Sequence, residues 1–372
     1  MTLAPPTFID TAIQPILDDL AQKYESLTGK VIHPAQVEQL LFNAFSYREG
    51  LVREAIQEAA EQNLVAFSRA PILDYLGELV GVKRLDAFPA SCTIEFTLTA
   101  NISGVSVPKG TRIASADGLI SFATDDVLNI AATVLTGTIT ATCETLGAAG
   151  NGYSAGLIKT ILDPLSFVAD VVNTNSTAGG SEKESDDNLR ERIKLAPSSF
   201  SNAGSKGAYI YWAKSASPDI IDVAVTSPMP GHVNIYPLMS DGSVTPTQVL
   251  DAVEAACNDT KVRPLTDVVT VFAPTKVEYE IVANVTLYDD ADQAVVEAAI
   301  LANLQQFTMK TRMKMGIDIM LSQVKKECVA NGVYDVDLED GASSPFVNII
   351  IAETEFALCT NITITTIGTT AG

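Results

Sequence analysis

The sequence predicts an α+β chain of several domains. Three observations point there: an opening stretch with helical apolar spacing, a Thr-, Ser-, Val- and Gly-rich stretch of short alternating runs, and a second half in which strands and helices interleave. At 372 residues the chain is too long for one ordinary core. Its shifts in composition divide it into a helical region (1–85), a β-sandwich-like or barrel-like insertion (86–178), an α/β middle module (179–275) and an α/β C-terminal module (276–372).

The helical region has the clearest apolar spacing of the four. Ile13, Ile16, Leu17, Leu20, Tyr24 and Leu27 recur at three-and-four intervals, and Gly29 closes the run as a C-terminal stop. A longer helix follows Pro34, with Leu41, Phe45, Val52, Ile56, Ala59 and Phe67 on one stripe. Val37, Leu40, Ala44, Leu51 and Ala55 widen that stripe to roughly half the circumference, more than one neighbouring element needs. Such an arc wants cover on two sides, from an intramolecular bundle or from partner helices. Gly50 weakens the helix, since an interior glycine costs about 1 kcal/mol.

Residues 92–98, 104–108, 138–143 and 157–161 alternate as strands, and Lys109, Arg112 and Lys159 are the only cations in the insertion. Beyond residue 179, Thr245 and Pro246 open a helix whose Val249, Leu250, Val253 and Cys257 face inward. Residues 267–272 then read as a strand. A long strand follows Pro274, with Val277, Tyr279, Ile281, Ala283, Val285 and Leu287 sharing one face. Helices over 292–307 and 319–331 and strands near 333–338, 346–351 and 362–367 complete the pattern. No fixed-period repeat is visible.

Charge and special residues exclude several functions. A net charge of -21, spread over all four segments, opposes phosphate backbones, so nucleic acid is not an expected partner. The densest cations, Lys310, Arg312, Lys314, Lys325 and Lys326, read as helix-end charges. No apolar run approaches the roughly 20 residues of a membrane span, so membrane insertion is not expected. Residues 1–10 lack the features of a secretory signal, which predicts synthesis in the cytoplasm. The cysteines Cys92, Cys143, Cys257, Cys328 and Cys359 have no paired spacing and read as free thiols.

No constellation of residues predicts catalysis or a cofactor. His33 and His232 sit beside no nucleophile motif, and the Gly147–Gly152 loop lacks the lysine and hydroxyl of a phosphate cradle. Carboxylates cluster at Glu182, Glu184, Asp186 and Asp187, at Asp289, Asp290 and Asp292, and at Asp335, Asp337, Glu339 and Asp340. In the first cluster Ser181 and Glu184 fit a capping box, with Arg190, Arg192 and Lys194 toward the helix's other end. The other two lack the spacing of a calcium loop and read as solvated turns, with a surface calcium ion as the alternative.

The stretch GGSEKESDDNLRERI at residues 179–193 resembles the signature of the baseplate J-like family of contractile phage tails and related injection particles. Other blocks are similar to the family in the same order: Leu73-Asp74 with Gly81-Val82-Lys83-Arg84, VPKGT at 107–111 with FAT at 122–124, GAAGNG at 147–152, PGHV at 230–233 and RPLT at 263–266. Ala70-Pro71 departs from it, where the family often carries a glycine.

The resemblance implies a structural wedge subunit in the virion's tail baseplate. Its N-terminal helices would bundle with a second copy and a smaller wedge protein around the hub, and its C-terminal domain would join wedges into a ring. That ring would couple receptor engagement by a tail fibre, or its adaptor, to contraction of the sheath above. The expected bundle residues are Leu41, Phe45, Leu51, Val52, Ile56 and Phe67, and the expected inter-wedge residues are Tyr279, Ile281 and Val285. No cofactor, metal or catalytic residue is implied. The competing expectation, from the Thr-rich insertion and the acidic turns, is an adhesin or carbohydrate-binding tail protein.

Overall fold

The structure, a computed structural model, describes residues 4–34, 36–99, 104–200, 204–260 and 262–371. Met1, Thr2 and Leu3, part of the stretch read for a signal, lie outside them. Two compact units emerge, Met1–Arg84 with Leu189–Lys194, and Leu85–Asn188 with Leu195–Gly372.

The first unit holds α1 (Ile13–Thr28), α2 (Val37–Glu61) and α3 (Ile72–Glu78), joined by residues 189–194 of α4 (Asp186–Leu195). Its core is Ile16, Leu73, Val82, Leu189 and Ile193. The helix α2 runs straight through Gly50, and the reason is contact: a Cβ there would meet Ile13 Cγ1 of α1 at 3.1 Å. Glycine's cost in helix propensity is offset by the close approach it permits. The blocks around Leu73 and Arg84 also close on each other. Arg84 Nε and Nη2 reach Asp74 Oδ1 and Oδ2 at 2.7 and 3.2 Å, a bidentate pair.

Two expectations change in this unit. Helix α2 ends at Glu61, so Phe67 is not on its stripe; Phe67 sits half-buried in the turn that follows, its N–H bonded to Leu64 O. The cations of α4 do more than complement a helix dipole. Arg190 donates to Val65 O at 2.9 Å and Ser68 O at 2.7 Å, and Arg192, buried, donates to Lys83 O. They satisfy carbonyls of turns that no helix ladder reaches.

The second unit begins with the β-rich insertion, which is barrel-like. Its strands are β1 (Pro89–Leu98), β2 (Val105–Val107), β3 (Arg112–Ser115), β4 (Ser121–Thr124), β5 (Leu128–Ile130), β6 (Thr136–Leu146), β7 (Ile158–Ile161) and β8 (Val168–Asn173). Six form one antiparallel sheet in the order β7-β3-β4-β6-β1-β8, and β2 pairs with β5 as a separate ribbon. The sheet curls until β7 and β8 lie side by side. Buried Asn173 bridges that seam, accepting from Ile158 N at 2.8 Å and donating to Ser154 O at 3.0 Å. Alternate residues of β1, namely Cys92, Ile94 and Phe96, enclose the core with Ile113, Phe122 and Ile158.

The two α/β modules follow. The first packs α5 (Lys206–Lys214) and α6 (Thr247–Asn258) on a sheet ordered β11-β10-β9, built from β9 (Ile220–Thr226), β10 (His232–Met239) and β11 (Val268–Val271). The second packs α7 (Gln293–Arg312) and α8 (Leu321–Cys328) on a sheet ordered β13-β12-β14, built from β12 (Thr275–Tyr288), β13 (Val333–Glu339) and β14 (Glu355–Thr370). The strand expected over 346–351 is irregular chain instead. It is tied to the module by the Ile319 to Ile349 bridge and by the bonds Phe346 N to Leu338 O at 3.0 Å and Ile351 N to Asp318 Oδ1 at 2.9 Å, and it buries Phe346 and Ile351. Lys310 and Arg312 fall in the last turn of α7, and Lys325 and Lys326 in that of α8, where the dipole favours them.

Candidate assembly surfaces

The stripe on α2 is where this molecule departs most from a self-contained fold. At about 100° per residue, Leu41, Phe45, Val52 and Ile56 span about 60° of the helix, and Ser46 and Gly50 lie on the far side. It is Ser46 and Gly50 that are buried. Leu41, Phe45, Val52 and Ile56 are 51%, 61%, 55% and 48% exposed, and Leu40 and Leu51 beside them are exposed as well. The flank near Gln57 is held by the chain's own start: Gln57 accepts from Phe8 N at 2.8 Å and donates to Pro6 O at 2.7 Å. Helix α2 therefore uses its small and polar side within the unit and presents its large apolar side to solvent. Exposed apolar area of this kind marks an interaction surface.

Tyr279, Ile281 and Val285 require a correction. All three are buried, Ile281 and Val285 completely, in a core with Ile300 and Leu304 of α7 and Val324 of α8. Burial also pushes the Tyr279 phenol well above its ordinary pKa. The alternation along β12 predicts its covered face correctly, but the cover is the module's own helices, which places these three side chains in the module's core.

The glycine-rich loop and the signature stretch form one structure. Asn151 Nδ2 donates to Gly180 O at 2.6 Å while Gly180 N donates to Asn151 Oδ1 at 2.9 Å. A Cβ on Gly180 would lie 2.5 Å from Gly147 O and 2.9 Å from Ala90 N, backbone atoms that cannot yield cheaply. Gly180→Ala is expected to destabilise the second unit by about 1–3 kcal/mol, the cost of overpacking, as read by urea denaturation. Ser181 and Glu184 do not form the expected capping box. Both are buried before α4 starts, Ser181 bridged to Phe88 and Glu184 accepting from Leu85 N at 2.9 Å. The cap comes from Ser185, whose Oγ accepts from Asn188 N at 3.2 Å.

Beside this loop lies a cleft of about 410 Å³ that brings together Glu182, Asp219 and Asp241. Sequence reasoning missed it, because Asp219 precedes β9 and Asp241 follows β10, and no motif links them. Burial, then the carboxylates of Asp241 and Glu182, pushes the Asp219 carboxyl up to about 6. A raised acid pKa means stability that is fully present below the unfolded value, near 4, and lost as pH climbs through about 6. The shift alone corresponds to roughly 3 kcal/mol, and partial exposure screens it to about 1 kcal/mol. Asp219→Asn should therefore stabilise the chain by about 1 kcal/mol at pH 7.5 and leave stability unchanged at pH 4, as read by thermal melts at both pH values.

Other candidate groups have structural explanations. Asp292 N-caps α7, accepting from Ala294 N at 3.0 Å and Val295 N at 3.3 Å. Among the described residues no group of His, Cys, Asp and Glu converges as a metal site would, and no helix is long and apolar enough to cross a membrane. Cys92, Cys143, Cys257 and Cys328 are buried free thiols, and Cys359 is a half-buried one. The PGHV and RPLT blocks meet as neighbouring ends of β10 and β11, where Val268 N donates to Gly231 O at 2.7 Å and Arg263 Nη1 donates to Asp267 O at 2.6 Å.

Four models of one family match successive stretches: the Baseplate J-like N-terminal domain at 39–91, the barrel domain at 93–180, the central domain at 201–273 and the C-terminal domain at 279–365. The chain belongs to the baseplate J-like family. With that family it is a virion tail component. Baseplate protein J of Escherichia phage P2 is 34% identical over 186 residues, 50% of this chain and 60% of the phage protein. Baseplate protein gp47 of Escherichia phage Mu is 29% identical over 173 residues, 43% of this chain and 46% of that protein. The match thus spans less than two thirds of either relative. A chain of the anti-feeding prophage baseplate, solved with 6-fold symmetrisation, aligns over 93% of this chain and 90% of its own at a TM-score of 0.41 and 14% identity. Likeness at that level decides nothing further about the fold.

Proposed function

We propose that the chain is a structural wedge subunit of a contractile-tail baseplate, acting through assembly and without catalysis, cofactor or metal. The observation that carries this is the outward apolar face of α2, opposite the Ser46 and Gly50 side that packs within the unit. That face bundles with a second copy of the chain and with a smaller wedge protein. Burying the exposed half of its four large side chains contributes roughly 0.7–1.5 kcal/mol each before the ordering costs of association.

The four segments divide the work. Residues 1–85 make the wedge bundle, 86–178 form the barrel, 179–275 link it onward, and the module from Lys276 makes copy-to-copy contacts that close a ring around the hub and below the sheath. Movement in that ring couples engagement of a tail fibre, or its adaptor, to sheath contraction. Family membership and the named phage relatives support this placement.

Co-expression tests the core of the proposal. The full chain and the smaller wedge protein should leave a sizing column together, with two copies of the chain in the complex. A chain that elutes alone as a monomer, whatever the concentration, contradicts it.

A further inference from the structure

The two edges of the C-terminal sheet are unlike. The edge strand β13 carries Asp335, Asp337 and Glu339, with Asp335 and Asp337 exposed, and such charges discourage strand pairing. The opposite edge strand β14 has no charged residue from Phe356 to Thr370. It pairs in parallel with β12 on its inner side. Among the described residues its outer side is met at its start, by the Met315 bridge to Phe356, and no further strand pairs with it.

Within β14 the pairing slips at Thr360 and again at Ile367, as bulges do. Between them lies a regular run, Asn361-Ile-Thr-Ile-Thr-Thr366, free of Pro and Gly and dominated by β-branched residues. Six residues of this composition on an open edge are an association hazard unless something covers them. One face of the run is already occupied: Ile362 and Ile364 pack on the module's core, and Thr366 Oγ1 donates to Glu297 Oε1 of α7 at 2.7 Å. The unpaired backbone of the edge is what remains.

We propose that β14 is a strand-addition site for the β14 of a second copy of this chain, paired antiparallel about Ile364. This rests on the C-terminal module making copy-to-copy contacts, as proposed above. Charge selects the occupant. Copies that each carry -21 repel one another, and this uncharged edge lets two of them meet without opposing carboxylates. An antiparallel pair of identical strands is self-complementary, as a twofold contact requires. With Ile364 on the twofold axis, Thr363 of one copy stands across from Thr365 of the other. Directly opposed residues of this kind have Cβ atoms about 4.5–5.5 Å apart.

Two measurements on the full chain test this together. The first is amide hydrogen exchange, comparing isolated chain with assembled baseplates. The second is oxidative crosslinking of assembled Thr363→Cys/Thr365→Cys chains, with the unsubstituted chain as control for Cys359. Exchange over 361–367 slowed by about tenfold or more on assembly, with a disulfide-linked dimer of the variant alone, supports the proposal. Slowing over 361–367 without the dimer overturns it, because another protein then supplies the strand. Slowing confined to 276–355 also overturns it, while leaving the C-terminal module as the inter-copy contact. No slowing anywhere in 276–372 removes both.

Discussion

Replacing Leu41, Phe45, Val52 and Ile56 together by serine is expected to leave a folded chain that no longer co-purifies with a second copy or with the smaller wedge protein. The two halves of that expectation have separate causes. Each of the four side chains is about half exposed or more in the isolated chain, so truncating it removes little buried area and opens no cavity. In the proposed bundle these four side chains form the contact, and because each starts about half exposed, removing them takes away roughly 3–6 kcal/mol of apolar burial, enough to weaken a micromolar association to about millimolar or beyond. Circular dichroism with a thermal melt reads the first half, and pull-down reads the second. Chain that unfolds would mean α2 is packed internally. Chain that still assembles would mean the stripe is not the interface.

The second large effect falls on a residue whose role the structure reassigns. Ile281→Ala should destabilise the second unit by about 2–5 kcal/mol, because Ile281 is wholly buried and its truncation leaves a cavity between β12 and the helices covering it. Urea denaturation should show a lower midpoint in the isolated chain, before any partner is added. An unchanged midpoint accompanied by a loss of assembly would return Ile281 to an interface. A single substitution of this size takes a large share of a domain's net stability, so reduced soluble yield should accompany it.

The fold was legible wherever a period of residues meets one physical demand. Alternation along β12 follows from a sheet with one covered face, and the Gly29 stop follows from a left-handed C-cap donating to Glu25 O. What a pattern cannot say is who covers the face it exposes. The family resemblance, with this alternation beside it, assigned Tyr279, Ile281 and Val285 to a neighbour, and α7 and α8 of the same chain cover them. On α2 the apolar arc left a bundle within the chain and partner helices both open, and the structure places α1 on the Ser46 and Gly50 side instead.

Long-range pairings explain the rest. Gly50 lowers helix propensity for a reason located at Ile13, and Gly180 is small because Gly147 O and Ala90 N lie against it. Ser181 and Glu184 imitate a capping box by spacing, yet their partners, Phe88 and Leu85, lie more than ninety residues earlier. The cleft around Asp219 has no local signal at all, since its carboxylates converge only after β9 and β10 have paired. Phe67 continues the helical period in sequence beyond the point where the helix itself stops.

The most direct test of the central claim is side-chain footprinting by hydroxyl radicals, performed on the isolated chain and on intact baseplates. Labelling of Leu41, Phe45, Val52 and Ile56 should be strong in the isolated chain and fall severalfold in the particle. Equal labelling of the four residues in both samples would contradict the account, because the apolar face of α2 would then stay in water within the particle it is proposed to hold together.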